Sequence, residues 1–135
     1  MIQYQIEENV TLEEFRAVLL NSTLGERRPV DEPERLSAML QHGNLIVTAR
    51  DNGKLIGISR SLTDYSFCTY LSDLAVDQDY QKMGIGTELI RQTKLVTPQA
   101  KLILLSAPQA VGYYPKIGMK KWEQCYVLDN VKDLK

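Results

Sequence analysis

Residues 73–90 read DLAVDQDYQKMGIGTELI. An apolar run stops at Val76, a polar loop intervenes, Gly84 and Gly86 follow, and an amphipathic stretch begins. A strand that feeds a glycine-bearing loop and then a helix N-terminus is a ready anion site. The free amides and the positive end of the helix dipole both point at the ligand. Glycine also lets the backbone approach phosphate oxygens with no Cβ in the way. G-x-G spacing alone is a weak sign, because turn and packing roles explain it equally well. Two familiar phosphate sites are absent. The chain carries no G-x-x-x-x-G-K-[ST], and a dinucleotide fingerprint needs a third glycine where Leu89 stands.

Other chemistry-bearing residue types are sparse. The two cysteines, Cys68 and Cys125, sit in strand-like apolar contexts and lack metal-ligand spacing, so they read as buried free thiols rather than a disulfide. The lone His42 precedes Gly43 at the end of a predicted helix, where a solvated helix-end role fits better than catalysis.

Composition narrows the classes. At 135 residues the chain reads as one domain, 1–135, with 44% apolar and 24% charged residues, ordinary for a globular protein. Sixteen basic against seventeen acidic residues, net charge −1, argue against a general nucleic-acid surface. No apolar run approaches the roughly 20 residues a membrane helix needs. The opening MIQYQIEENV has neither a basic start nor a long hydrophobic stretch, so no signal peptide is expected. A cytoplasmic protein with no obligatory metal, no membrane and no nucleic-acid partner is the expectation.

The elements that must position the glycine loop follow from periodicity. Residues 2–7 alternate as a first strand. Thr11 with Glu14 offers a capping box for a helix whose Leu12, Phe15, Val18 and Leu19 share a face. Asp31 with Glu34 offers a second box, for a helix carrying Leu36, Met39 and Leu40. NLIVTAR and KLIGISRSL flank DNG at 51–53, a hairpin signal. FCTYLSDLAV reads as the next antiparallel strand, and its alternation degrades at Ser72–Asp73–Leu74, as burial on both faces or a bulge would cause. A helix from about Gly84 to Thr97, stopped by Pro98, leads to a buried strand KLILL at 101–105, which implies a parallel crossover. A short helix near 108–117 and a final strand around KWEQCYVLD complete an α+β domain on a mixed sheet.

With Gln81 included, VDQDYQKMGIG matches [QR]-x-x-G-x-[GA], the phosphate-binding motif of the GNAT acetyltransferase superfamily. YYPKIGMK at 113–120 resembles that family's second signature, an aromatic pair followed by a glycine and an apolar residue. The resemblance runs from about Leu45 to Lys120. It implies the family's α+β (α/β three-layer) fold, a mixed, mostly antiparallel sheet flanked by helices and splayed between the fourth and fifth strands. It also implies an enzyme that moves an acetyl group from acetyl-CoA to a primary amine of a small molecule or peptide, by direct attack in a ternary complex. The alternative is a catalytically silent CoA-binding module on the same fold. Relatives often dimerise through the last strand, which makes a homodimer plausible.

Carried over residue by residue, the resemblance places the CoA pyrophosphate against amides around Met83, Gly84, Ile85, Gly86 and Thr87, with Gln81 and Lys82 flanking. The pantetheine arm is implied to lie along Leu74, Ala75 and Val76, and a bulge there to aim the Leu74 amide at the thioester carbonyl. Tyr114 takes the place of the acid that protonates the leaving thiolate, with Tyr113 packing beside it. Its ordinary pKa of about 10 lies above the roughly 8.5 of a thiol. Pro115 stands where the family often has a polar residue and would disturb a helix begun at 108. Asp73 and Glu26 are candidate bases for the amine. Arg27 and Arg28 in GERRPV are candidates for a substrate anion, and Tyr70 and Tyr65 for the wall of the same cleft.

Overall fold

The computed structural model describes all residues, Met1–Lys135. The chain divides into two compact units, Met1–Leu105 and Ser106–Lys135. The first contains β1 (Ile2–Ile6), α1 (Leu12–Asn21), α2 (Pro33–His42), β2 (Leu45–Asp51), β3 (Lys54–Thr63), β4 (Cys68–Val76), α3 (Ile85–Val96) and β5 (Lys101–Ile103). The strands lie in sequence order in one sheet. All neighbours pair antiparallel except β4 and β5, which are parallel.

Two apolar clusters on opposite faces make this unit three-layered. Phe15, Val18 and Leu19 of α1 and Leu36 of α2 pack with Ile46, Leu55, Ile58 and Ala75. Ile85 and Leu89 of α3 pack with Leu45, Val47 and Ala49, which alternate with Ile46 along β2, and with Ile56, the extra residue where the β2–β3 register shifts. Because strand side chains alternate in direction, the two sets cover the two faces of the sheet. The central strands therefore read as nearly continuous apolar runs.

Local signals explain most boundaries. The Thr11–Glu14 capping box forms, with each side chain meeting the other's backbone amide at 3.1 Å. The DNG hairpin turns through Asn52 at φ 49° and Gly53 at φ 88°. The second expected box does not form. Pro33 occupies the first turn of α2, so Glu32 is the N-cap residue and Asp31 lies one place too early. Asp31 instead faces Arg16 at 3.7 Å.

The predicted splay is explicit in the register. β5 meets β4 only at Cys68, Thr69 and Tyr70, so Leu71 to Val76 has β3 on one side and no strand on the other. Both cysteines are free, and both are exposed rather than buried. Cys68 opens β4 beside the Asp64 turn, and Cys125 lies in a stretch without regular structure.

In the second unit the expected helix near 108–117 is divided. A 3-10 turn covers Pro108–Ala110 and α4 covers Tyr113–Lys116. Starting the helix at Tyr113 puts Pro115 in a first turn, where its missing amide costs no helical bond. The strand expected around KWEQCYVLD does not form. Alternation makes a strand only when a partner satisfies its backbone, and these residues enter no β-ladder.

Candidate functional site

The site begins with the backbone of β4. Arg60 pairs with Asp73 and Ser61 with Leu71, so Ser72 is an extra residue, a bulge where the sequence loses its alternation. Beyond β4, the Asp77 amide donates to the Ile56 carbonyl at 2.8 Å. In an antiparallel pair the bonded positions alternate, so Ala75 faces β3 with its hydrogen-bonding groups while Leu74 and Val76 turn theirs to the other edge. That edge is the one β5 leaves open.

A short loop joins this edge to α3, and three contacts hold it. The Asp77 carboxylate accepts from the Asp79 amide at 2.9 Å. The Tyr80 hydroxyl donates to Asp51 of the β2–β3 hairpin at 2.7 Å, and that hydrogen bond is the largest of the effects raising the Tyr80 pKa. Gln81 Nε2 reaches back to the Val76 carbonyl at 3.0 Å, pinning the loop to the strand end. Lys82 and Gly84 then adopt left-handed backbone, φ 65° and φ 80°. Gly84 is the N-cap of α3 and offers no side-chain cap. The first helical bond runs from the Glu88 amide to the Gly84 carbonyl, so the amides of Ile85 and Gly86 precede it. Gln81, Lys82, Met83, Gly84 and Thr87 are exposed, while the Ile85 side chain is buried and fastens the turn to the core.

Charge gathers at the bulge. Asp73 is fully buried, with one carboxylate oxygen 2.5 Å from Arg60 Nε and the other 2.5 Å from Arg28 Nε. Arg60 also donates to the Met39 carbonyl at 3.0 Å and to the Ser72 hydroxyl at 3.1 Å. Arg28 also donates to the Arg27 carbonyl at 2.9 Å and to the Ser72 carbonyl at 2.7 Å. Three of the five N–H groups of Arg28 are thus held by the protein itself.

Of the other sequence candidates near this edge, Glu26 and Arg27 are exposed in the 3-10 turn Leu24–Arg27. Tyr70 is half-buried where β4 last touches β5. Tyr65 is exposed at φ 61°, its hydroxyl donating to the Asn44 carbonyl at 2.9 Å. His42 is the exposed last residue of α2. Arg60, Tyr80 and Asp51 were not anticipated. The one available signal was an arginine inside the apolar run KLIGISRSL, at a position where a buried cation requires a partner.

Tyr114 belongs to the second unit. Its ring lies edge-on to that of Tyr113, centroids 5.2 Å apart and planes at 74°. Burial, with a smaller contribution from Tyr113, pushes its phenol above the ordinary range. It therefore keeps its proton to higher pH than a free tyrosine.

A layered sheet with an open strand edge beside a glycine-started helix offers backbone donors and acceptors next to helix-end amides, a combination suited to an extended, anion-bearing ligand. The family model described as an acetyltransferase (GNAT) domain matches residues 21–134. The chain belongs to the GNAT acetyltransferase family, and it is an acetyltransferase. It is 27% identical over 121 residues to an uncharacterized N-acetyltransferase, ycf52, of Pyropia yezoensis, covering 84% of this chain and 67% of that protein. A GNAT family acetyltransferase from Streptococcus pneumoniae superposes with a TM-score of 0.77 at 23% identity, over 96% of this chain and 100% of that one. An aminoglycoside N-acetyltransferase, AAC(6')-Iy, whose structure contains CoA, superposes with a TM-score of 0.74 at 14% identity, over 97% of this chain and 95% of that one.

Proposed function

We propose that this chain moves the acetyl group of acetyl-CoA to a primary amine of a small molecule or peptide, by direct attack with both substrates bound. The observation that carries this reading is the open edge of β4 running into the glycine-started N-terminus of α3. The two halves of that site suit the two halves of CoA. An edge of backbone donors and acceptors suits an amide-bearing arm, and helix-end amides suit a pyrophosphate. The fold shared with the CoA-containing aminoglycoside enzyme supports the same choice.

Each residue then has a task. Amides of the turn from Met83 to Thr87 cradle the pyrophosphate, and Lys82 adds a point charge. Leu74, Ala75 and Val76 present the edge for the pantetheine arm. Gln81 already holds the Val76 carbonyl, so the Leu74 amide and carbonyl and the Val76 amide are left for it. The Leu74 amide donates to the thioester oxygen as negative charge builds there, an effect of about 3 kcal/mol for such a donor. Tyr114 gives its proton to the departing sulfur, and its raised pKa keeps that proton available. Asp73 has both oxygens engaged by guanidinium groups, which makes it an anchor rather than a base. Exposed Glu26, acting through water, is the better acceptor of the amine's proton. Arg27, exposed in its turn, meets an anion on the acceptor, and Tyr70 lines the same cleft.

Binding and turnover test this separately. Acetyl-CoA should raise the melting temperature, and Gly84→Glu, which forces a side chain into φ 80° backbone at the anion site, should abolish the rise. A variant that binds normally removes the loop from the reading. Free-thiol release should appear with at least one of a set of polyamines, amino acids, arylalkylamines, aminoglycosides and peptide N-termini. Binding without release from any of them, even at high pH, leaves only a silent CoA-binding module. Tyr114→Phe should lower turnover while acetyl-CoA affinity holds, and unchanged turnover assigns the acid elsewhere. On this reading residues 1–135 act as one cytoplasmic domain without nucleic acid or membrane. A homodimer is the expected assembly, and light scattering measures it directly.

A further inference from the structure

The pair of arginines on Asp73 needs an explanation that folding does not supply. Asp73 is already neutralised by Arg60, which is 6% exposed and donates to three groups of the fold. A second cation on the same carboxylate adds desolvation cost with no further charge to cancel. Arg28, 21% exposed, is that second cation, and it comes from the C-cap of the turn Leu24–Arg27, 45 residues away in sequence from Asp73.

What Arg28 adds is geometric. The extra residue Ser72 has two side-facing oxygens, and Arg60 holds only its hydroxyl. Arg28 Nη2 holds its carbonyl at 2.7 Å, while Arg28 Nε holds the neighbouring carboxylate at 2.5 Å. Those two bonds come from one planar fork, so they fix the 72–73 peptide plane relative to the Asp73 side chain. The next plane, 73–74, carries the Leu74 amide, and it hinges on Asp73. Without the fork, a bulge residue is free to rotate its carbonyl.

We infer that Arg28 is a positioning residue: by clamping the Ser72 carbonyl and Asp73 together it sets the direction of the Leu74 N–H along the open edge of β4. It acts through the backbone rather than by touching substrate. The same clamp ties the turn Leu24–Arg27 to the strand, so any movement of that turn is felt at the amide.

This inference rests on the acetyl-CoA reading, and the test reads the thioester without needing the acceptor. Calorimetry first measures acetyl-CoA binding to the intact protein. Failure of the unaltered protein to bind removes the acetyl-CoA reading and this inference with it. Isotope-edited infrared of bound acetyl-CoA labelled with carbon-13 at the acetyl carbonyl then reports the hydrogen bond to its oxygen. In the unaltered protein the band should lie below its position in free acetyl-CoA; an unshifted band, with binding intact, overturns the inference and the Leu74 role with it, and leaves acetyl-CoA binding standing. In Arg28→Met the band should return toward the free position while acetyl-CoA affinity is kept, and Asp73 remains paired to Arg60 so that the fold survives. Arg28→Lys keeps the charge but not the fork, so its band should fall between. Added guanidinium should restore the shift in Arg28→Ala without restoring melting temperature. A band in Arg28→Met and Arg28→Lys identical to that of the unaltered protein overturns the positioning role.

Discussion

Two arginine–carboxylate networks lie in the first unit, and they are built oppositely. On the β1–β2 side, Arg50 sits between two carboxylates, 2.8 Å from Glu7 and 2.8 Å from Glu14. At the β4 bulge, Asp73 sits between two arginines. The first joins β1, β2 and the start of α1, elements that local sequence signals already specify. Its carboxylates are partly wet, Glu7 16% and Glu14 33% exposed. The second is dry at its centre and joins β3, β4, the end of α2 and an irregular turn. One network reinforces elements that would form anyway, whereas the other enforces an irregularity that regular pairing would remove. A dry, cation-rich cluster spent on one extra residue points to a backbone conformation that matters.

The sharpest way to break this contrast is Arg60→Met. It leaves Asp73 buried with only the more exposed Arg28, and removing one partner of a buried pair costs about 3 kcal/mol or more. Urea unfolding should show the largest loss of stability of any single change in either network. A loss smaller than that of Arg50→Met would mean the bulge network is not the more buried in effect.

Arg50→Met should cost about 2 kcal/mol, the scale of charge-assisted hydrogen bonds. It should leave acetyl-CoA affinity alone, because the network does not touch the open edge. It also carries a pH signature. Burial alone pushes the Glu7 carboxyl up, yet hydrogen bonds from Arg50, Thr48 and Gln5 together with the charge of Arg50 outweigh it and hold the group at about 2. A depressed carboxyl pKa gives stability that is present above the unfolded value and is lost as pH falls toward the folded one. The intact protein should therefore lose stability as pH falls from the ordinary glutamate value of 4.5 toward about 2, and Arg50→Met should flatten that slope. An unchanged slope would place the acid sensitivity elsewhere.

The smallest expected effect is Glu14→Gln. Its carboxylate is the most exposed member of the network, and glutamine still serves a capping box, so about 0.5 kcal/mol is expected by thermal unfolding. A loss as large as that of Arg50→Met would show that the two carboxylates act as one unit.

Legibility in the sequence follows the same division. The Thr11–Glu14 box, the Asn52–Gly53 turn and the helix after Gly84 are local, since the residues that make each lie within a few positions. The glycine loop and the degraded alternation at Ser72 were visible for that reason. The Asp73 clamp was not, because its partners stand 13 and 45 residues away in sequence and only the folded sheet brings them together. Arg28 consequently read as a candidate for substrate, whereas three of its five N–H groups meet Asp73, Ser72 and Arg27. The Asp31 box failed because Pro33 sets where the helix begins. The final strand failed because alternation in residues 121–129 describes a strand's faces but supplies no neighbour to pair with.

The brevity of β5 also bears on handling and storage. A strand edge that recognises an extended ligand through backbone groups offers the same groups to an extended polypeptide. Leu71 to Val76 lack a strand on one side, and neither a proline nor a lysine stands among them to discourage pairing. The bulge at Ser72 and the guanidinium fastened to it are the only irregularities along that stretch. Whatever occupies the edge during turnover therefore doubles as a cap against self-association, and solutions of the protein should clear of aggregates as that occupant is added.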